Sequence, residues 1–286
     1  MDKNLFWSLP FLTQQRFREA DTEAYFDNSD NQYRILWNPD GSKHWGYFDD
    51  LENSCRYEDF LRASDRWNEY MLEMSHILTD SQVLDIGCGN GNVSVWLAQQ
   101  TGCEALGIDI SRMHIRNAQA QAQQHPSLKL SFKKASATHL PFPDSSFTHV
   151  WSQGTLCHIQ ERDVVLREIY RVLKKEGIFI FDDLVTPASK ISKATQSQFY
   201  DRLFISQAFS PESYLNNLAQ VGFKVLEAKN LSQHMKKCYE IQAERIAKQD
   251  LERSLAYQQS VTAIDNDEIG WWFYLCKKES NTTDAT

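Results

Sequence analysis

Between Arg56 and Leu78 the apolar side chains Phe60, Trp67, Met71, Met74 and Leu78 recur at intervals of three, four and seven residues, which predicts a helix with one buried face. The pattern then shortens. "SQVLDIG" reads as a buried strand ended by glycine, "NVSVWLAQQ" as a helix, and "CEALGIDI" as a second strand finishing at Asp109. Ser111 is placed to cap a helix through "RMHIRNAQAQAQQ", and "LKLSFKKA" and "FTHVWSQ" read as strands. In "DVVLREIYRVLKKEG" Val165, Leu166, Ile169, Val172 and Leu173 share a helical face with Gly177 as the stop, and the strand "IFIFDD" follows. Five strands alternating with helices predict a parallel sheet covered on both faces.

After Pro187 the rhythm changes. "SPESYLNNLAQVG" predicts a helix with Ser210 as cap and Pro211 in its first turn, and "FKVLEAKNL" a strand. Residues 232–259 read as one long polar helix, and "GWWFYLCKK" as a last strand. The expected fold is α/β, a seven-stranded, mostly parallel Rossmann-like sheet with N-terminal lid helices and a helical insertion before the last strand. The expected division is 1–78 for lid and helices, 79–185 for the sheet core, 186–278 for covering helices and the last two strands, and 279–286 for a disordered tail.

Composition narrows the function. Of 286 residues 42% are hydrophobic, enough for a sizeable core, and 30 Lys and Arg against 38 Asp and Glu leave a net charge of -8. Without a basic cluster such a chain repels phosphate backbones, so nucleic acid is not expected as a partner. The cysteines at 55, 88, 103, 157, 238 and 276 form no C-x-x-C pair and no zinc spacing, which suggests reduced thiols in a cytoplasmic protein and no metal. Ser8 and Pro10 interrupt the apolar N-terminal patch, which does not read as a signal peptide. No apolar run is long enough for a membrane span.

The candidate chemistry lies in "VLDIGCGNG". Its glycines at 87, 89 and 91 follow G-x-G-x-G, whereas a dinucleotide loop needs its third glycine one residue later. Asp109 ends the next strand, where a carboxylate can accept both hydroxyls of a ribose. Three readings remain open on these residues alone: a nicotinamide or flavin enzyme, an S-adenosylmethionine enzyme, and a tight turn that binds nothing.

"VLDIGCGNG", "LGIDIS", "LPFPDSSFTHVWSQ" and "REIYRVLKKEGIFIFDD" occur in an order that resembles the class I S-adenosylmethionine-dependent methyltransferases over residues 80–185. "EAYFDNSDNQYRILW", "HWGYF", "WSQGTLCHI", "FYDRL", "SPESYLNNLAQVGF" and "HMKKCYE" extend the likeness to the sarcosine/dimethylglycine methyltransferase group and its small-molecule relatives. The resemblance implies S-adenosyl-L-methionine as cofactor. It places Gly87, Cys88 and Gly89 against the methionine part, Asp109 on the ribose and Ile110 on the adenine. Ser136 and Ala137 would meet the adenine edge, Ser152 and Gln153 the methionine tail, and Tyr25 would close over that tail. One departure stands out: the closer group reads "SQDA" where this chain has Gly154, which points to a different acceptor.

Methyl transfer from a sulfonium needs orientation above all, which can supply roughly 7–11 kcal/mol of a barrier. For a hydroxyl acceptor a base helps, and His158, in the loop after "HVWSQ", is the candidate; an ordering role for the lid is the other reading. Cys157 reads as a buried thiol, since direct transfer needs no covalent intermediate. Trp45 and Tyr47 in "HWGYF" are candidate acceptor contacts, whereas "GWWFY" reads as core. Tyr200 is a further substrate candidate; Arg202 could meet an acceptor carboxylate but reads first as a solvated helix face. His234 and Cys238, one turn apart, lack a third ligand, and His76, His114, His125 and His139 are assigned no chemistry. The expected function is methylation of a small-molecule amine or natural-product hydroxyl. O-methylation with His158 as base and a non-catalytic cofactor sensor are the alternatives.

Overall fold

The computed structural model describes residues 17–205 and 209–279, without the side chains of residues 29–32 and 36. The N-terminal patch and residues 280–286 of the expected disordered tail lie outside the described residues. Seven strands form one sheet: β1 (Gln82–Ile86), β2 (Glu104–Asp109), β3 (Leu130–Lys134), β4 (Phe147–Gln153), β5 (Leu173–Val185), β6 (Phe223–Asn230) and β7 (Gly270–Lys278). Their spatial order is β3-β2-β1-β4-β5-β7-β6, with β7 antiparallel to both neighbours and the other pairings parallel. This is the expected seven-stranded, mostly parallel sheet.

β1 is flanked by β2 and β4, with Val83 opposite both Ala105 and His149. The chain winds outward from β1 in one direction and from β4 in the other, and the crevice at their carboxyl ends is where such sheets take ligands. The crossovers are α3 (Asn92–Thr101), α4 (Arg112–Gln124) and α5 (Arg162–Val172), preceded by α1 (Glu19–Leu36) and α2 (Tyr57–Ser75). After the sheet core come the single turn α6 (Lys193–Thr195), a π-helical segment Gln196–Asp201, α7 (Pro211–Val221), α8 (Ser232–Ile246) and α9 (Leu251–Asp265). Ser111 and Ser210 cap α4 and α7 as their sequences predict, accepting from His114 N and Ser213 N.

Three boundaries differ from expectation. α2 stops at Ser75, with His76 left-handed at φ 55, so Leu78 lies outside the helix and is 65% exposed. α5 ends at Val172, and Leu173 already pairs with Phe147 in the sheet, so Gly177 sits in a strand and is no helix stop. The polar helix expected over 232–259 is two helices. The Asp250 side chain accepts from Arg253 N at 3.0 Å and starts α9, which folds back on α8 and donates Ser254 Oγ to Ala243 O at 2.8 Å. One hydrophobic cluster joins Trp37, Phe60 and Trp67 from the N-terminal segment to Trp151 of the sheet and to Tyr239 and Trp271 from the C-terminal segment. Burying a ring such as Trp67, fully enclosed on α2, contributes about 2–3 kcal/mol and fixes that helix on the sheet.

Candidate active site

A cavity of about 500 Å³ opens at the carboxyl ends of β1, β2 and β4. Its floor is the glycine turn. Gly87 has φ +75, and a Cβ there would fall 2.2 Å from Thr155 Oγ1; Gly89 has φ +52 and no atom within 4 Å of where its Cβ would stand. The first glycine lets the turn pass under the β4 loop, and the second leaves an open cradle beside the cavity.

Two acids flank this turn. Asp109 accepts from Ser111 N at 2.7 Å and Gly89 N at 3.0 Å, and His114 Nδ1 lies 3.4 Å from its carboxylate. Burial works to raise its pKa, but His114 and the two N–H groups outweigh it and hold the carboxyl below its ordinary value. Asp85 is pushed up to about 7 by burial, with the hydroxyl of Ser94 at 2.5 Å opposing and the charge of Asp109 adding to the shift. His114, given no role from sequence, also meets Lys43 Nζ through Nε2 at 3.0 Å and thereby ties Asp109 to the cover of the cavity.

That cover has two parts. α1 carries Glu19, Glu23 and Asp27 one turn apart: Glu19 accepts from Ser136 Oγ at 2.6 Å, Glu23 pairs with Lys134, and Asp27 accepts from Ser111 Oγ. The strap 38–48 follows. Gly46 N donates to Cys238 Sγ at 3.3 Å and Phe48 N to His234 Nδ1 at 3.0 Å, so these two side chains of α8 hold backbone. Among the described residues no group of three His, Cys, Asp or Glu is arranged for a metal.

The wall after β4 holds Gly154, Thr155 and His158. Below it, Asp182 accepts from Trp67 Nε1 and Trp271 Nε1, both at 2.8 Å, and from Gly154 N at 3.0 Å. Burial pushes its carboxyl up to about 7 against these three donors. Asp85 and Asp182 therefore bind protons more tightly folded than unfolded. Their contribution is greatest near pH 4 and is lost as pH rises through about 7. Melting temperatures recorded between pH 4.5 and 8 should fall toward the alkaline end, and Asp85→Asn should flatten that slope; an unchanged slope would contradict the assignment.

Of the residues singled out in the sequence, Gly87, Cys88, Gly89, Asp109, Ile110, Ser136, Ala137, Gln153, His158 and Trp45 line the cavity. Four do not. Ser152 is buried and donates to Ile86 O at 3.0 Å, and Tyr25 bonds Tyr33 Oη at 2.9 Å and packs on Phe204, leaving Phe26 and Tyr33 at the cavity. Tyr47 stacks between His234 and Tyr70 beneath the Lys229 ammonium, and Tyr200 is buried, donating to Glu268 O at 2.9 Å. The expected acceptor contacts at Tyr47 and Tyr200 are corrected accordingly: their hydroxyls and ring faces are engaged by the protein itself. Asp85, His114, Lys43 and Arg202 also line the cavity without having been selected as site residues.

Residues 84–181 match the family described as methyltransferase domain. The sarcosine/dimethylglycine N-methyltransferase of Halorhodospira halochloris is 32% identical over 200 residues, 69% of each chain. The (+)-O-methylkolavelool synthase of Herpetosiphon aurantiacus is 30% identical over 221 residues, 76% of this chain and 75% of the relative. The chain belongs to the S-adenosylmethionine-dependent methyltransferases. A further methyltransferase relative is matched over 60% of its length. The fold agrees with a solved putative sarcosine dimethylglycine methyltransferase from Galdieria sulphuraria, TM-score 0.77 at 20% identity, covering 88% of this chain and 98% of that one.

The residues of this methyltransferase suit its cofactor. The open cradle at Gly89 leaves room against the turn, and Asp85 and Asp109 offer two acids to a ligand with a positively charged tail. When bound, S-adenosylmethionine supplies an activated methyl group. The protein's tasks are to place an acceptor, exclude water and manage a proton.

Proposed function

We propose that the enzyme methylates a hydroxyl group on a largely apolar small molecule, with His158 taking the proton. The observation that carries this reading is the state of His158. Its ring lines the cavity and packs edge-on against Phe26, and burial pushes its pKa down to about 4, so the imidazole is neutral. Nδ1 is buried and has no hydrogen-bond partner. A neutral imidazole carries one acceptor nitrogen, and the unbonded Nδ1 is available to be it. A base this weak takes the proton only as the new bond forms, which is what a hydroxyl acceptor requires.

Two features speak against a cationic amine. Gly154 supplies no acid, and Lys43 Nζ already sits 5.0 Å from the ring centres of both Phe26 and Tyr33, faces that would otherwise hold an ammonium. Trp45, Tyr239 and Leu184 add apolar lining. Incubation with labelled cofactor and matched panels of phenols, alcohols and amines should label hydroxyl acceptors; label confined to amines would overturn the proposal. His158→Gln should slow turnover about 100-fold, while S-adenosylhomocysteine binds as before. The wild-type rate should stay level from pH 5 to 8 and drop as pH falls through about 4, where His158 gains its proton. The free state of all six cysteines and the absence of any described helix long and apolar enough to cross a membrane support a cytoplasmic location.

A further inference from the structure

We propose that Arg202 anchors a carboxylate carried by the acceptor. This assignment rests on the hydroxyl reading and names the substrate class within it. Arg202 follows the π-helical segment Gln196–Asp201, a backbone form that recurs at functional sites, and its side chain lines the cavity instead of a solvated helix face. Nε donates to Gln198 O at 2.8 Å, and the guanidinium carbon lies 6.0 Å from the centre of the Tyr257 ring. Among the described residues no carboxylate lies within ion-pair distance of it, and its terminal nitrogens have no recorded protein acceptor.

The cavity is polarised. The acids Asp85 and Asp109 belong to the glycine turn, and Glu19 is engaged with Ser136 on the same side. Arg202 acts elsewhere: its charge opposes the upward shift of Tyr25, Tyr33, Tyr239 and Tyr257, the phenols contributed by α1, α8 and α9. Glu161, the remaining acid of the lining, begins α5. A guanidinium in a mostly apolar recess gains most from a planar anion that fills its fork with two parallel hydrogen bonds. The neighbouring residue, Leu203, lines the same cavity as His158, so the anchor and the base face one space. An acceptor fixed by its carboxylate would have its hydroxyl oriented within that space.

The test pairs hydroxyaromatic acids with their methyl esters as acceptors for the full chain and labelled S-adenosylmethionine. The wild type should favour the acid over its ester by at least about 10-fold in kcat/KM. Arg202→Leu should raise KM for the acid by about 10- to 100-fold and move the ester far less, so that the preference disappears. Arg202→Lys, which keeps the charge without the fork, should retain part of it. S-adenosylhomocysteine binding by calorimetry reports that each variant is folded. Equal use of acid and ester by the wild type, or a preference that survives Arg202→Leu, overturns the anchor and leaves the hydroxyl reading standing. Absence of methylation on every hydroxyl overturns both.

Discussion

Replacing Asp109 with alanine should weaken S-adenosylhomocysteine binding by roughly 100-fold or more, measured by calorimetry. A carboxylate accepting two ribose hydroxyls makes two charge-assisted hydrogen bonds, each worth about 1.5–3 kcal/mol. Against the opposing effect of burial, His114 and two backbone N–H groups keep this carboxyl ionised and aimed. The alanine variant also releases Gly89 N and Ser111 N from their acceptor, which loosens the cradle. Asp109→Asn, which keeps one acceptor oxygen, should lose less. Affinity unchanged in the alanine variant would remove Asp109 from the binding site.

Alanine at Gly89 should separate binding from folding. No atom lies within 4 Å of the new methyl, so the fold bears only the left-handed backbone, a cost of about 1–2 kcal/mol. The methyl enters the cradle instead, and affinity for S-adenosylhomocysteine should fall at least 30-fold while the melting temperature drops only a few degrees. Gly87→Ala should do the opposite first: its Cβ would strike Thr155 Oγ1 at 2.2 Å, and Thr155 is itself bonded to Gln153 O at 2.9 Å. The larger thermal loss belongs to Gly87. A Gly89 variant that binds normally would show that the cradle is not used.

Local signals reached far into this fold. β1, β2 and β4 are short, largely apolar runs ended by glycine or acid, and the alternation of strands with helices leaves few topologies. Ser111 and Ser210 cap helices because a serine before a periodic segment has one economical use. Where the reading failed, the deciding contact was distant in sequence. Nothing near Tyr47 announces Lys229 or His234, yet these occupy its ring faces. His234 and Cys238 have the spacing of ligands and serve as hydrogen-bond acceptors for a strap nearly two hundred residues away. The break at Asp250 was visible only as one more polar residue in a polar helix, because its capping bond is a choice made by packing α9 on α8. Lys43 and His114 were passed over, and Arg202 was read first as a solvated helix face, for the same reason: a lone basic residue gains meaning from the walls around it.

The pair of acids at the glycine turn bears on how this protein sorts adenosine compounds. ATP and the nicotinamide dinucleotides share the ribose that Asp109 would grip, but each would bring polyanionic oxygens toward the ionised Asp109 and toward Asp85, whose carboxyl gains its charge as pH rises through about 7. Discrimination then comes from repulsion at the nucleotide's tail, and the enzyme can leave its grip on the sugar unspecialised.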